Sequence, residues 1–427
     1  MTHQTRIILA GMLGNLIEAF DMAICGLLSV YFAKYLIGDA SKGLLMVFAI
    51  FFAGYLARPI GAVFLGLLSD AYGRKITLAA SILSMGIATA LIGFIPPNSA
   101  IGMASMVILL LLRMIQSFSC GAEYLNSSAY LVENAEASHK GYSGSWASFG
   151  TMAGLLAASI TMLAVTCLTA AFPELEWAIW RLPFILALLG SSIGLYIRLC
   201  IPESLEYVMY YANHPKPKFG GLFKQGRHYI GANKLKCLYA FALSCLGVTT
   251  TFQIYIYAPI QAHLAGHFTD QQIIISNIVS LIVMLCVFPF IGRLSDRVNR
   301  EKIVIAASLG FWFLSQPYFY LLSHGNYSAL ILIQCLISIP AGAYYATVPV
   351  MLAEMFPLNL RCTVLSVLYS TAASFSAGLT PMLSLMLLQR TGSSTAPTLL
   401  VIGLVVFAFT VMWVRNLNDK QTEAVFL

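Results

Sequence analysis

The chain has 427 residues, 59% of them hydrophobic and 10% charged, with a formal net charge of +7. A soluble domain carries roughly 25% charged residues, so this composition excludes a water-facing surface; apolar runs of about 20 residues follow one another from end to end and read as membrane spans. Basic residues sit in short connections rather than on one patch, which excludes a nucleic-acid partner, and nine cysteines without a Cys-x-x-Cys pair or a histidine cluster read as small buried hydrophobes, with no metal or cofactor expected.

Twelve spans are predicted, at 7–33, 44–69, 77–95, 101–132, 142–171, 179–200, 236–262, 271–292, 303–323, 328–353, 363–389 and 397–415. The first follows a single Arg and lacks a small-residue cleavage site, so it is expected to be an uncleaved helix. The long polar connection from Ile201 to Lys236 holds three prolines and six Lys or Arg. It divides the chain into a six-helix bundle at 1–200, a linker at 201–235 and a second six-helix bundle at 236–427. With both termini on the cytoplasmic side, 18 Lys and Arg fall inside, four (Lys34, Lys42, Arg181, Arg390) outside, and Arg58 and Arg113 within the membrane. The positive-inside rule therefore predicts N-in, C-in. The fold expected is an all-α membrane protein of two pseudo-symmetric six-helix bundles, monomeric and multi-pass in a lipid bilayer.

The halves share an internal repeat. Gly66-x-Leu68-Ser69-Asp70 recurs as Gly292-x-Leu294-Ser295-Asp296, and Arg74 falls on Arg300 at the same spacing. Glu133 and Lys140 fall in the same way on Glu354 and Arg361. Duplicated halves suit a secondary transporter, because a site between two similar bundles opens to either side as one rocks against the other. Asp70, Arg74, Glu133, Asp296, Arg300, Glu354 and Arg361 are accordingly expected to form a cytoplasmic gate, each carboxylate lying beside a helix N-terminus and each Arg beside a Glu. The plainer alternative is that these residues only anchor helix ends at the headgroups.

The segment Gly66-Leu-Leu-Ser-Asp-Ala-Tyr-Gly-Arg-Lys75 resembles the signature loop of the major facilitator superfamily, and Gly292 to Lys302 resembles its degenerate second copy. Further stretches narrow the resemblance: Gly14-Asn-Leu-Ile-Glu-Ala-Phe-Asp21, Arg58-Pro-Ile-Gly61, Arg113-Met-Ile-Gln116, Gly121-Ala-Glu-Tyr124, Gly144 to Gly150 and Trp180-Arg-Leu-Pro-Phe184 are similar to the metabolite:proton symporters, which include permeases for α-ketoglutarate, citrate, shikimate, and proline or betaine. Two departures stand out. Ala19 replaces the Trp usual in the first helix, and Ser117 stands where the fourth-helix motif usually has Gly. The chain also ends soon after its last helix, without the coiled-coil tail of osmosensing relatives, so an osmosensor is not expected. The resemblance implies the inner membrane of a bacterium.

A charge kept at mid-bilayer costs about 2.5–3.5 kcal/mol on insertion scales and so marks function by default. Here the buried charges are Glu18, Asp21, Arg58, Arg113 and Glu123, all in the first half. Three carboxylates against two arginines leave one carboxylate to carry a proton: Asp21 or Glu18, with Arg113 as ion partner and anchor for a substrate carboxylate. A fixed structural salt bridge is the competing reading. Asn15, Arg113, Gln116, Gln253, Tyr257, Gln334, Tyr344 and Tyr345 are the candidate substrate contacts, with Tyr255 and Gln261 nearby and Pro259, Pro340 and Pro349 to bend their helices. Trp146, Trp177 and Trp180 are expected as interfacial anchors. The expected function is proton-coupled import of a small carboxylate, amino acid or betaine-like zwitterion by alternating access. Export of a drug or siderophore is the alternative, disfavoured because Gly144 to Gly154 lacks the Gly-Pro pair common in exporters, and a non-transporting sensor is a third. No nucleophile with a paired base and no phosphate loop is present, so no enzyme is expected.

Overall fold

In hydrocarbon every backbone N–H and C=O must be satisfied within the segment, which leaves helices as the form these apolar runs adopt. The computed structural model describes residues 3–38, 40–200, 202–213 and 219–425, and all its regular structure is helical. Of the charged residues placed above, the side chains of Arg6, Lys42, Lys216, Lys218 and Lys420 fall outside the described residues. Among the described residues, twelve helices are long and apolar enough to cross a membrane: Ile7–Leu27, Met46–Tyr72, Arg74–Gly93, Ala104–Glu133, Ala137–Ala171, Pro173–Cys200, Lys234–Ala265, Asp270–Leu294, Arg300–His324, Tyr327–Met355, Arg361–Thr391 and Thr398–Asn418. They are numbered here as the first to twelfth spans. Side-chain caps start several of them. Thr269 and Gln272 close a reciprocal capping box before the eighth, Asn299 caps the ninth and Asn326 the tenth, each supplying an oxygen to a backbone N–H that the helix itself cannot satisfy.

The first span lies along the fifth and the third along the sixth, while the eighth lies along the tenth and the seventh along the eleventh. The halves meet where the second span faces the eleventh and the fifth faces the eighth. Large apolar side chains such as Ile60, Phe64, Leu189, Phe290 and Phe313 stand on the outer surface, where they suit lipid. Of the nine free thiols, Cys25, Cys120, Cys237, Cys245 and Cys362 are buried, whereas Cys167, Cys200 and Cys286 face outward.

Several elements depart from the predicted spans, and three of them bear on the site. The first helix ends at Leu27, not 33, and the chain continues through a short turn and a single π-helical turn, Ala33–Ile37, closed by Gly38 at φ 80°. The fourth predicted span is broken into Ala104–Ser119 and Glu123–Glu133. At this break the backbones of the second and fourth spans touch: a Cβ on Gly61 would lie 1.9 Å from the Phe118 carbonyl oxygen, and one on Gly121 2.4 Å from the Ala62 nitrogen. Only glycine permits that approach. The linker, expected as a polar connection, contains the helices Leu205–Asn213 and Phe219–Ala232, held by the buried side chains of Tyr207 and Leu222.

Candidate functional site

The duplicated loops form reciprocal locks at the end of the molecule that carries the linker. Asp70, at the end of the second span, accepts hydrogen bonds from the backbone N–H of Cys362 (3.3 Å) and Thr363 (2.8 Å) and from the Thr363 hydroxyl (2.7 Å). These are the first residues of the eleventh span. Asp296, just beyond the eighth span, accepts from the N–H of Gly141 (2.6 Å) and Tyr142 (3.0 Å), in the first turn of the helix Lys140–Ala171. Each half thus places a carboxylate on the N-terminus of a helix in the other half, satisfying N–H groups that have no helical partner and meeting the positive end of the macrodipole.

Arginines complete both locks. Arg74 is fully buried, 3.4 Å from Asp70 and 3.1 Å from Glu133, and Glu133 also takes Arg361 of the other half at 2.9 Å. In the second copy Arg300 lies 3.7 Å from Asp296 and pairs with Glu354. All seven residues expected at the gate are therefore gathered at one end of the molecule. The sequence reading missed the linker's share. Glu203 accepts from the N–H of Arg74 (2.9 Å) and Lys75 (3.2 Å), Ser204 donates to Glu133, and Glu206 bridges Lys140 (3.0 Å) and Arg361 (3.1 Å). The Tyr207 ring lies 4.8 Å from the Arg74 guanidinium. Three carboxyl and hydroxyl groups within four residues, next to loops rich in Lys and Arg, were the signal available.

Deeper in the first half, the buried charges pair differently from the expectation. Glu18 lies 3.5 Å from Arg58, and Glu123 lies 2.6 Å from Arg198, a residue counted in the sequence as a loop cation but fully buried on the sixth span. Arg113 forms no ion pair with Asp21 or Glu18. Its guanidinium instead stands over the Phe51 ring at 4.5 Å and near Tyr55 at 5.7 Å, a cation–π arrangement that takes the place of a carboxylate partner. A relay of hydrogen bonds links Arg113 to Asp21 indirectly: Arg113 donates to Gln116 (2.9 Å), Gln116 to the Thr89 hydroxyl (2.6 Å), and the single Thr89 proton is shared between Asp21 (3.1 Å) and the Met85 carbonyl (2.9 Å). The other Asp21 oxygen meets no partner among the described residues. Asn15 donates to the Ala147 carbonyl at 3.1 Å and fixes the first span to the fifth.

Between the halves lies a small cavity of about 20 Å³, walled by Tyr124 on the fourth span, Gly247 on the seventh, Tyr344 and Tyr345 on the tenth, and Tyr369 on the eleventh. The Tyr124 and Tyr369 rings are 5.1 Å apart, and the Arg58 guanidinium lies 5.7 Å from the Tyr369 ring. Tyr345 accepts from Thr251 at 2.8 Å, and Tyr124 shares a hydrogen bond with Ser148 at 2.8 Å. Tyr344 and Tyr345 thus line this space, though Tyr344 also donates to the Leu243 carbonyl of its own bundle at 2.7 Å, whereas the other second-half candidates are bound within that bundle away from the cavity. Gln253 donates to Ser384 (3.2 Å) and the Pro397 carbonyl (2.6 Å), Gln334 to Asn277, Gln261 to the Ser394 carbonyl (2.9 Å), Tyr255 bonds Ser338 (2.8 Å), and Tyr257 stacks on Phe319. Trp180, expected at the interface, is buried among Phe32, Tyr35 and Phe184, while Trp177 is exposed.

Twelve spanning helices in two halves, a lock duplicated between them and a small cavity on their shared face define a membrane transporter. Residues 8–218 match the family model described as sugar (and other) transporter, and residues 240–425 that of the major facilitator superfamily. The glycine betaine/proline/ectoine/pipecolic acid transporter OusA of Dickeya dadantii is 30% identical over 97% of this chain and 84% of its own, and the proline/betaine transporter of Salmonella typhimurium is 30% identical over 93% and 81%. In fold the chain is similar to the proton:xylose symporter XylE bound to 6-bromo-6-deoxy-D-glucose, with a TM-score of 0.76 at 18% identity over 96% of this chain and 95% of that one. The chain belongs to the major facilitator superfamily.

Proposed function

We propose that this transporter is a proton-coupled symporter that imports a small zwitterionic metabolite, of the kind named for its proline and betaine relatives, across a bacterial inner membrane by alternating access. The observation that carries the reading is the contrast among three buried carboxylates. Glu18 and Glu123 each face an arginine, whereas Asp21 meets only the neutral Thr89 hydroxyl and can gain or lose a proton without breaking an ion pair. Asp21 is the proton carrier in this reading, and the relay through Thr89 and Gln116 makes Arg113 sensitive to its charge. Glu18, Arg58 and Glu123 are the surrounding charges of the coupling group.

The cavity between the halves is about 20 Å³, room for about one water, so substrate enters only as the halves part, and the tyrosine faces that line it then receive an ammonium group. Tyr344 and Tyr345 are retained as substrate contacts, and Arg113 acts through the relay. The linker end is cytoplasmic on the charge count, with boundaries at 200 and 236, so the locks close the cytoplasmic side and must part for release. A membrane potential adds about 2.3 kcal/mol per charge per 100 mV, which allows one proton per cycle to concentrate substrate substantially.

The test is uptake into proteoliposomes of a panel holding proline, glycine betaine, ectoine, α-ketoglutarate, citrate and shikimate. An inward proton gradient should drive accumulation of a zwitterion, and Asp21→Asn should retain exchange but lose the response to the gradient. Uptake in that variant that still follows the gradient removes Asp21 from the proton step. Gradient-driven efflux of a drug or siderophore, with no uptake of the panel, establishes the exporter alternative.

A further inference from the structure

The interior of the first half is built around Arg198, the partner of Glu123. The residue is fully buried near the end of the sixth span, its Nη2 donates to Glu123 at 2.6 Å, and its Nε and Nη1 have no partner among the described residues. The first span makes room for it at Gly14, where a Cβ would lie 2.0 Å from Nη2. One guanidinium therefore joins the first, fourth and sixth spans around a single carboxylate.

Glu123 is the first residue after the break in the fourth span. A helix break frees backbone groups, and here the freed Gly121 carbonyl accepts a hydrogen bond from Ser370 of the other half. The next residue, Tyr124, turns into the cavity between the halves against Tyr369. We propose that Arg198 is a positioning residue of the transport cycle: by holding Glu123 it fixes the break in the fourth span, and the break carries the charge state of that pair to the substrate cavity through Gly121, Tyr124 and Ser370. A continuous helix would spread such a change along its length, whereas two half-helices with glycine between them turn it into a rotation of one half against the other.

The groups that surround Glu123 are Arg198 on the sixth span, Glu18 with its partner Arg58 on the first and second, Ser81 on the third and Cys120 on its own span; Glu18, Ser81, Cys120 and Glu123 line one narrow cavity. Tyr130 and Asp21 stand further along the same chain of charges. Any pH response of the pair is therefore read against Glu18 as control.

The consequence for transport rests on the function proposed above, so the experiment has two arms. In the uptake assay Arg198→Lys should keep the KM and pH profile of the native chain, while Arg198→Gln should raise KM about tenfold and alter the pH profile. Glu123→Gln with Arg198→Gln strands no charge and should be produced at the native level. A purely structural pair predicts that this double variant recovers native KM and pH profile; positioning predicts that it does not. The second arm is infrared difference spectroscopy of the purified protein between pH 5 and 8 and needs no substrate. Arg198→Gln should gain a protonated-carboxyl band absent from the double variant, together with a tyrosine-ring shift abolished by Tyr124→Phe. Native kinetics in the double variant, or a carboxyl band that titrates without the tyrosine shift, overturns the proposal. Failure of the native chain to take up any compound counts against the symport reading alone and leaves the infrared arm to decide this one.

Discussion

Asp70 and Thr363 come from different halves of the chain and are joined twice, the carboxylate accepting from both the Thr363 N–H at 2.8 Å and its hydroxyl at 2.7 Å. Hydrogen bonds to a charged group contribute about 1.5–3 kcal/mol each. Asp70→Asn removes the charge and should shift the balance toward an open linker end by about 10- to 150-fold. Cys362, adjacent and fully buried, reports this directly. Its labelling by a maleimide, located by mass spectrometry, should rise in the variant while labelling of the exposed Cys167 stays constant.

The relay from Arg113 to Asp21 depends on one hydroxyl, since Thr89 both receives Gln116 and donates to Asp21. Thr89→Val keeps the shape and removes the hydroxyl, leaving Asp21 unpaired at a cost of about 1–3 kcal/mol in a buried site, while Gln116 keeps Arg113 and the Cys25 sulfur. Substrate exchange without a gradient should persist in this variant and gradient-driven accumulation should fall. Equal losses in both assays would mean that the hydroxyl matters only for packing.

Tyr369 lies 5.7 Å from the Arg58 guanidinium and 5.1 Å from the Tyr124 ring. A cation on an aromatic face gains about 0.5–2 kcal/mol. Tyr369→Phe keeps that face and should change KM little for a betaine or for proline. Tyr369→Leu removes it, and KM should rise roughly 2- to 30-fold. An unchanged KM in the Leu variant would place the cationic end of the substrate elsewhere.

Backbone contact between the second and fourth spans should be intolerant of any added carbon. Gly61→Ala drives a Cβ against the Phe118 carbonyl, an overpacking of the kind that costs about 1–3 kcal/mol and here meets backbone rather than a yielding side chain. Thermal unfolding of the purified variant should show a lower midpoint than that of Gly226→Ala, whose nearest neighbour is the Thr363 methyl at 3.8 Å.

How much of this was legible in the sequence follows from what each signal encodes. Apolar runs give spans, because the length needed to cross hydrocarbon is fixed, and a repeat such as that of Asp70 and Asp296 announces two halves. The partner of a buried charge is another matter. Arg198 lies three residues before Ile201, so composition alone assigns it to the surface; only the packing of the third and sixth spans turns it inward toward Glu123. Gln253 and Gln334 raised a similar difficulty. An amide on a nearly uniformly apolar helix gives no indication of whether it faces a cavity or a serine on the neighbouring span, and both make bonds within the second bundle. The break at Gly121 left a trace in the sequence, a glycine beside a carboxylate, but glycines in spans serve close packing as often as breaks.

The two locks are not equals. Arg74 and Glu133 are sealed from solvent and tied to the linker through Ser204, while Arg300 and Glu354 remain partly open to it and, among the described residues, none of the linker's hydrogen bonds reaches them. Salt acts on the shallow pair and scarcely on the deep one. In the gating proposed above, opening should have an order, like a door with a latch and a bolt: the exposed pair slips first and sets how often the end begins to part, and the buried cluster decides how often the attempt succeeds.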